Sequence, residues 1–105
     1  MNDAAKLEAR LLSGAELELV AVTRAPEIER QSVDELKAAA RRLREAHERA
    51  KAIGTRQARE MRGKAEPRGA APAKDNSGTV AKAQALRDAL DRVEAELSRR
   101  DAAPA

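Results

Sequence analysis

Apolar positions recur along residues 32–63 (SVDELKAAARRLREAHERAKAIGTRQAREMRG) with a helical period. At about 100° per residue, Leu36, Leu43, Ala50 and Met61 fall close to one line. Ala39, Ala46 and Ile53 flank that line on one side, and Ala40 and His47 flank it on the other. Arg41, Arg44, Arg49, Lys51, Arg56, Arg59 and Arg62 take the opposite half of the cylinder. Ser32 with Glu35 is a capping box, in which serine and glutamate satisfy orphan amides of the first turn reciprocally. Asp34 and Glu35 also put negative charge at the positive end of the helix dipole. The pattern predicts one long amphipathic helix over 32–62, with a narrow aliphatic seam and an arginine-rich back. Gly54 interrupts it, since an interior glycine costs up to about 1 kcal/mol relative to alanine. It is read as a close-packing position, with a kink or early stop beside Thr55 as the alternative.

The second strong pattern lies near the C-terminus. Val80, Ala83, Leu86, Leu90, Val93 and Leu97 step by threes and fours, which predicts a helix over 79–100 capped by Ser77 or Thr79. Its seam is close to heptad spacing and suits a coiled-coil-like contact. Arg99 and Arg100 sit at the negative end of its dipole. Between the two helices, GKAEPRGAAPAKDNSG (63–78) has no periodicity and reads as a flexible linker. The last residues, DAAPA, are expected to fray.

Residues 3–22 predict a shorter N-terminal helix or pair of helices. Leu7 and Leu11 share one side, and Ser13 with Glu16 forms a second capping box. The alternation Glu16, Leu17, Glu18, Leu19 is strand-like, but a lone strand would have nothing to pair with. Thr23–Gln31 then reads as a connector, with Pro26 turning the chain and Ile28 tucking beneath it. The fold class is therefore all-α. A long helical hairpin of 32–62 and 79–100 carries the N-terminal element as a third layer, all in one domain spanning 1–105.

Composition sharpens this. Alanine fills 25 positions and Leu, Ile and Val together only 17, with no Phe, Tyr or Trp. So little bulky carbon leaves a lone monomer marginal, and a second surface to bury apolar groups against would relieve it. There is no cysteine, hence no disulfide or thiolate metal site. The N-terminus lacks a signal-peptide core and no apolar run reaches membrane-spanning length, so cytoplasm is the expected location.

No chemistry is legible. His47 is the one imidazole; no nucleophile is placed against it, and the i+3 and i+4 positions are Ala50 and Lys51. It reads as a boundary histidine. Glu45 with Arg49 and Glu60 with Lys64 read as i,i+4 surface pairs rather than acid–base machinery. No catalytic, cofactor-binding or metal-ligating residue is therefore assigned, and an enzyme is not expected.

Charge distribution points instead to binding. Residues 41–64 hold nine basic side chains against three acidic ones, while the first 34 residues are net negative by three. A basic cylinder of this kind suits a phosphate backbone, through Arg41, Arg44, Arg49, Arg56, Arg59, Arg62, Lys64 and Arg68. Without an aromatic to stack on a base, base-specific reading of RNA or single strands is disfavoured. The 15 Arg against 6 Lys, beside so much alanine, is also what a GC-rich bacterial genome writes. An alanine-rich seam does not suit a membrane surface.

The leading expectation is a non-enzymatic helical adaptor that binds itself or another helical protein. Its helix–helix interface would comprise Leu36, Leu43, Ala50, Ile53, Met61, Leu86, Leu90, Val93 and Leu97. The alternative is backbone-directed binding of DNA, RNA or the ribosome. Neither involves a small-molecule substrate.

Overall fold

Leucine and alanine alternate along the contact that builds this molecule. The computed structural model describes residues 3–64 and 77–102. They form α1 (Asp3–Leu11), α2 (Gly14–Ala21), α3 (Glu27–Arg30), α4 (Val33–Lys64) and α5 (Ser77–Ala102), with no strand among the described residues. Helices α4 and α5 pair as an antiparallel hairpin, in which Arg44 meets Glu94 near the middle and Gly54 meets Thr79 towards the tip. Leu36, Leu43, Leu86, Leu90 and Val93 are at most 1% exposed. Ala40, Ala46, Ala50 and Ala89 fill the space between them. Small side chains let the two helix backbones approach closely, so the few leucines reach across the seam.

The hairpin carries a second layer. Helix α1 packs on α5 and α2 packs on α4. Glu16 pairs with Lys82 at 3.0 Å and Thr23 meets Arg92 at 3.1 Å, so α2 runs parallel to α5 and antiparallel to α4. Ser13, near the tip side of this layer, turns α1 into α2; Glu16 accepts from both its amide and its hydroxyl. At the base of the hairpin, Ser32 and Glu35 form the capping box that starts α4, at 2.7 and 3.0 Å.

The all-α hairpin expected from the sequence is present. Of the helix or pair of helices expected over 3–22, the pair forms, as α1 and α2. The Glu16–Leu19 alternation is helical because α2 buries a broad face, with Val20 fully covered and Leu17 and Leu19 half-buried on either side. The connector contains the short helix α3 after a cis Ala25–Pro26 peptide, and Ile28 is buried as expected. Helix α5 begins at Ser77, two residues before the expected start, and continues to Ala102. Helix α4 runs to Lys64, about 48 Å for its 32 residues. The expected linker thus loses both ends to helix, and its remainder, 65–76, lies outside the described residues.

Two apolar residues placed on the seam by periodicity are not buried. Ile53 is 42% exposed and Val80 is 55% exposed. Both sit off the buried line, about 80° or more round their helices from its centre, where cover from a neighbouring element is needed.

Helix α4 passes through Gly54 without a break. Although Gly54 is buried, a methyl group there would meet Thr79 Cγ2 at 3.5 Å, an ordinary van der Waals separation. Close packing therefore does not demand glycine. Gly54→Ala is expected to stabilise the fold by up to about 1 kcal/mol and raise the melting temperature. A lower melting temperature would show that the helices cannot accept the added carbon.

Candidate functional site

The exposed side of α4 follows directly from its helical period: what does not face α5 or α2 faces solvent. Arg41, Arg44, Arg49, Arg56 and Arg59 are all exposed, with Arg42 and Lys51 beside them. Arg44 reaches across to Glu94 at 3.2 Å. No ion pair engages Arg41, Arg42, Arg49, Arg56 or Arg59 among the described residues, and the expected Glu45–Arg49 pair is not formed. Two shallow depressions mark this face. One is lined by Arg41, Arg44, Glu45, Glu48 and Arg49, the other by Glu48, Lys51, Ala52, Thr55, Arg56 and Arg59. Glu45 and Glu48 lie in the middle of the stripe and divide it.

Of the expected helix–helix residues, Leu36, Leu43, Ala50, Leu86, Leu90 and Val93 are brought together in one core, and Leu97 packs half-buried against it. Ile53 is left out of that core. The side chains of Met61, Arg62 and Lys64, like that of Leu7, lie outside the description, as does the whole of Arg68. The Glu60–Lys64 pair falls with them. His47 is half-buried, its Nδ1 3.5 Å from Glu48 Oε2, at the boundary of the seam.

Where cover stops is as informative as where charge lies. Ala39, Ala46 and Ile53 form one stripe on α4, each seven residues on and drifting only about 20°. The first two are 7% and 3% exposed, and the third is 42% exposed. Helix α2 ends beside Arg49, and its Glu16–Lys82 ion pair closes the second layer there. Beyond that pair, among the described residues, α4 and α5 continue as a two-helix arm, with the stripe open on its flank at Ile53.

The second layer is fastened by polar groups that periodicity does not find. Glu8, 7% exposed, bonds the Arg24 guanidinium and lies 4.0 Å from that of Arg92. Arg92 Nε donates to Thr23 Oγ1 at 3.1 Å, while that hydroxyl donates to the Val20 carbonyl at 2.6 Å. Burial, and then the Arg24 charge, push the Arg92 guanidinium below its ordinary range, against the pull of Glu8 and Asp88. Arg24 Nε and Arg92 Nη2 are buried without a hydrogen-bond partner, so one carboxylate serves two cations.

A second clamp holds the base. Arg100 donates to the carbonyls of Ile28, Glu29 and Gln31 around the C-terminus of α3, and its Nε donates to Glu96 at 2.8 Å. Charged residues read as solvated when only one helix is considered. Thr23-Arg24 ahead of Pro26 was the one local hint that this turn holds something.

These contacts hold α1, α2 and α3 against α5. Among the described residues no group of three His, Cys, Asp or Glu side chains is arranged to hold a metal, and no helix is long and apolar enough to cross a membrane. No family model matches the sequence, and no curated protein or solved structure matches it significantly.

Hydrogen bonds from Arg99 and then Arg100 hold the Glu96 carboxyl at about 2, well below its ordinary 4.5. Glu16 is also lowered: burial raises it, but hydrogen bonds from Lys82 and Ser13 outweigh that. A depressed carboxyl contributes stability that is complete above its unfolded value and lost as pH falls towards the folded one. Thermal stability is therefore expected to decline from about pH 4.5 down towards pH 2, and Glu96→Gln should flatten the decline. Melting curves across that range test it; an acid limb unchanged in the variant would show that the Glu96–Arg100 clamp does not hold the base.

Proposed function

We propose that this chain is a non-enzymatic helical interaction module, whose work is done on the uncovered flank of the α4–α5 arm. The observation that carries the reading is the stripe Ala39, Ala46, Ile53, covered over its first two members and open at the third. The alternation of leucine and alanine along α4 and α5 supports a coiled-coil-like contact within the hairpin. A further helix seated on the flank would extend the same packing to a third strand along the arm. Binding by this surface requires rigid display of Ile53 and neighbouring arginines, and no reactive group.

A photo-crosslinking residue placed at Ile53 tests the reading in cells of the source organism. Discrete protein adducts are expected from position 53, and none from the exposed Ser98 at the other end of α5. Equal labelling from both positions, or none from position 53, would remove it.

The nucleic-acid reading stands on a separate observation, the exposed Arg41, Arg49, Arg56 and Arg59 that no carboxylate engages among the described residues. A phosphate backbone laid along α4 would release counterions, so affinity would fall steeply with salt. Gel shifts with duplex DNA and RNA should then show that fall, with loss of binding in Arg56→Glu/Arg59→Glu. A flat salt response, or no shift, removes this second reading.

A further inference from the structure

We infer that the open flank docks an acidic amphipathic helix contributed by another protein, laid end-on beyond α2 along the same groove. The inference rests on the interaction-module reading and names the chemistry of the partner. Helix α2 shows what this groove accepts. Its sequence, GAELELVA, is acidic and aliphatic with no basic residue. Leu19, and Val22 just past its end, line with Ala46, Arg42 and Arg49 the depression between α2 and α4, and Glu16 pairs with Lys82 of α5.

The same elements recur one heptad further towards the tip. Ile53 stands where Ala46 stood, and Arg56 lies beside it as Arg49 lies beside Ala46. Ile53 is 42% exposed, Arg49 and Arg56 have no ion-pair partner among the described residues, and the buried Oε1 of Gln57 has no hydrogen-bond partner. Aliphatic surface bordered by unengaged guanidiniums is complementary to a helix with leucine or alanine on one face and glutamate at its edges.

Charge also decides against the other occupants. Two copies meeting flank to flank would set Arg49, Arg56 and Arg59 against themselves, a like-charge contact that disfavours assembly. Nucleic acid would use the arginines but gain nothing from Ile53. A helix binding in a groove through an apolar face with charged edges uses both.

The test is fluorescence anisotropy with the full chain and a labelled 16-residue synthetic helix, capped at both ends, bearing Leu and Ala on one face and Glu on its flanks. A scrambled peptide of identical composition and a Lys-for-Glu counterpart serve as controls. Saturable binding of the acidic helix is expected, with neither control binding comparably. Ile53→Asp, and separately Arg49→Glu/Arg56→Glu, should each weaken it by at least about tenfold. Both variants alter exposed positions, and circular dichroism is the check that they remain folded.

Equal affinity for the scrambled peptide, or indifference to Ile53→Asp, would overturn the inference by reducing the contact to unspecific charge. Sedimentation equilibrium showing dimers that Ile53→Asp dissolves would overturn it in favour of a second copy. Duplex DNA that displaces the peptide while ignoring Ile53→Asp would overturn it in favour of nucleic acid. In the first two outcomes crosslinks from position 53 could persist, so the module reading would survive the loss of its acidic partner.

Discussion

A seam made of leucine and alanine buries modest apolar surface per turn, so the stability of each stretch depends on what lies against its flank. That constraint governs the whole molecule. From Leu36 to Ala50 the hairpin is supported by the second layer, and core side chains there are almost fully covered. Beyond the Glu16–Lys82 pair the same two helices continue, and Ile53 on their flank is 42% exposed. Burial of about one large side chain per turn offsets little of the conformational entropy of ordering that turn. The arm is therefore the natural place for a partner to add stabilisation.

The second layer covers only part of the hairpin, α2 being eight residues long. Helix α2 contributes Val20 to the core, and its broad apolar face leaves few positions for charge. Polar groups at its ends do the fastening instead. Glu8 with Arg24 and Arg92 holds the C-terminal end of α2, and Arg100 with Glu96 holds α3 against the last turns of α5. Partly buried ion pairs of this sort are costly to desolvate, and they fix geometry more than they stabilise. Here they anchor the base end of α2, while the Glu16–Lys82 pair at its other end lies where the flank opens.

Much of the hairpin was legible because its signals are local. Ser32 and Glu35 announce the start of α4, and the three-and-four spacing of Leu36, Leu43, Leu86, Leu90 and Val93 marks both buried faces. Ile53 and Val80 were misplaced because periodicity reports a side of a helix but not whether a third element covers that side. Glu8, Arg92 and Arg100 were missed for a related reason. Apart from Glu96, four residues before Arg100, their partners lie between 16 and 84 residues away, and within its own helix each falls among residues that read as solvated. The arginine face of α4 was legible as a face, but its division by Glu45 and Glu48 and its border with Ile53 emerged only with the packing.

The central claim is that support for α4 ends near Ala50 while the helix itself continues to Lys64. Amide hydrogen exchange of the isolated protein, resolved by residue, measures that directly, because protection follows local packing. Protection should be high and nearly uniform from Leu36 to Ala50, then fall progressively through Ile53 and Arg59. Uniform protection along the entire helix would contradict the account, since the arm would then need no further cover.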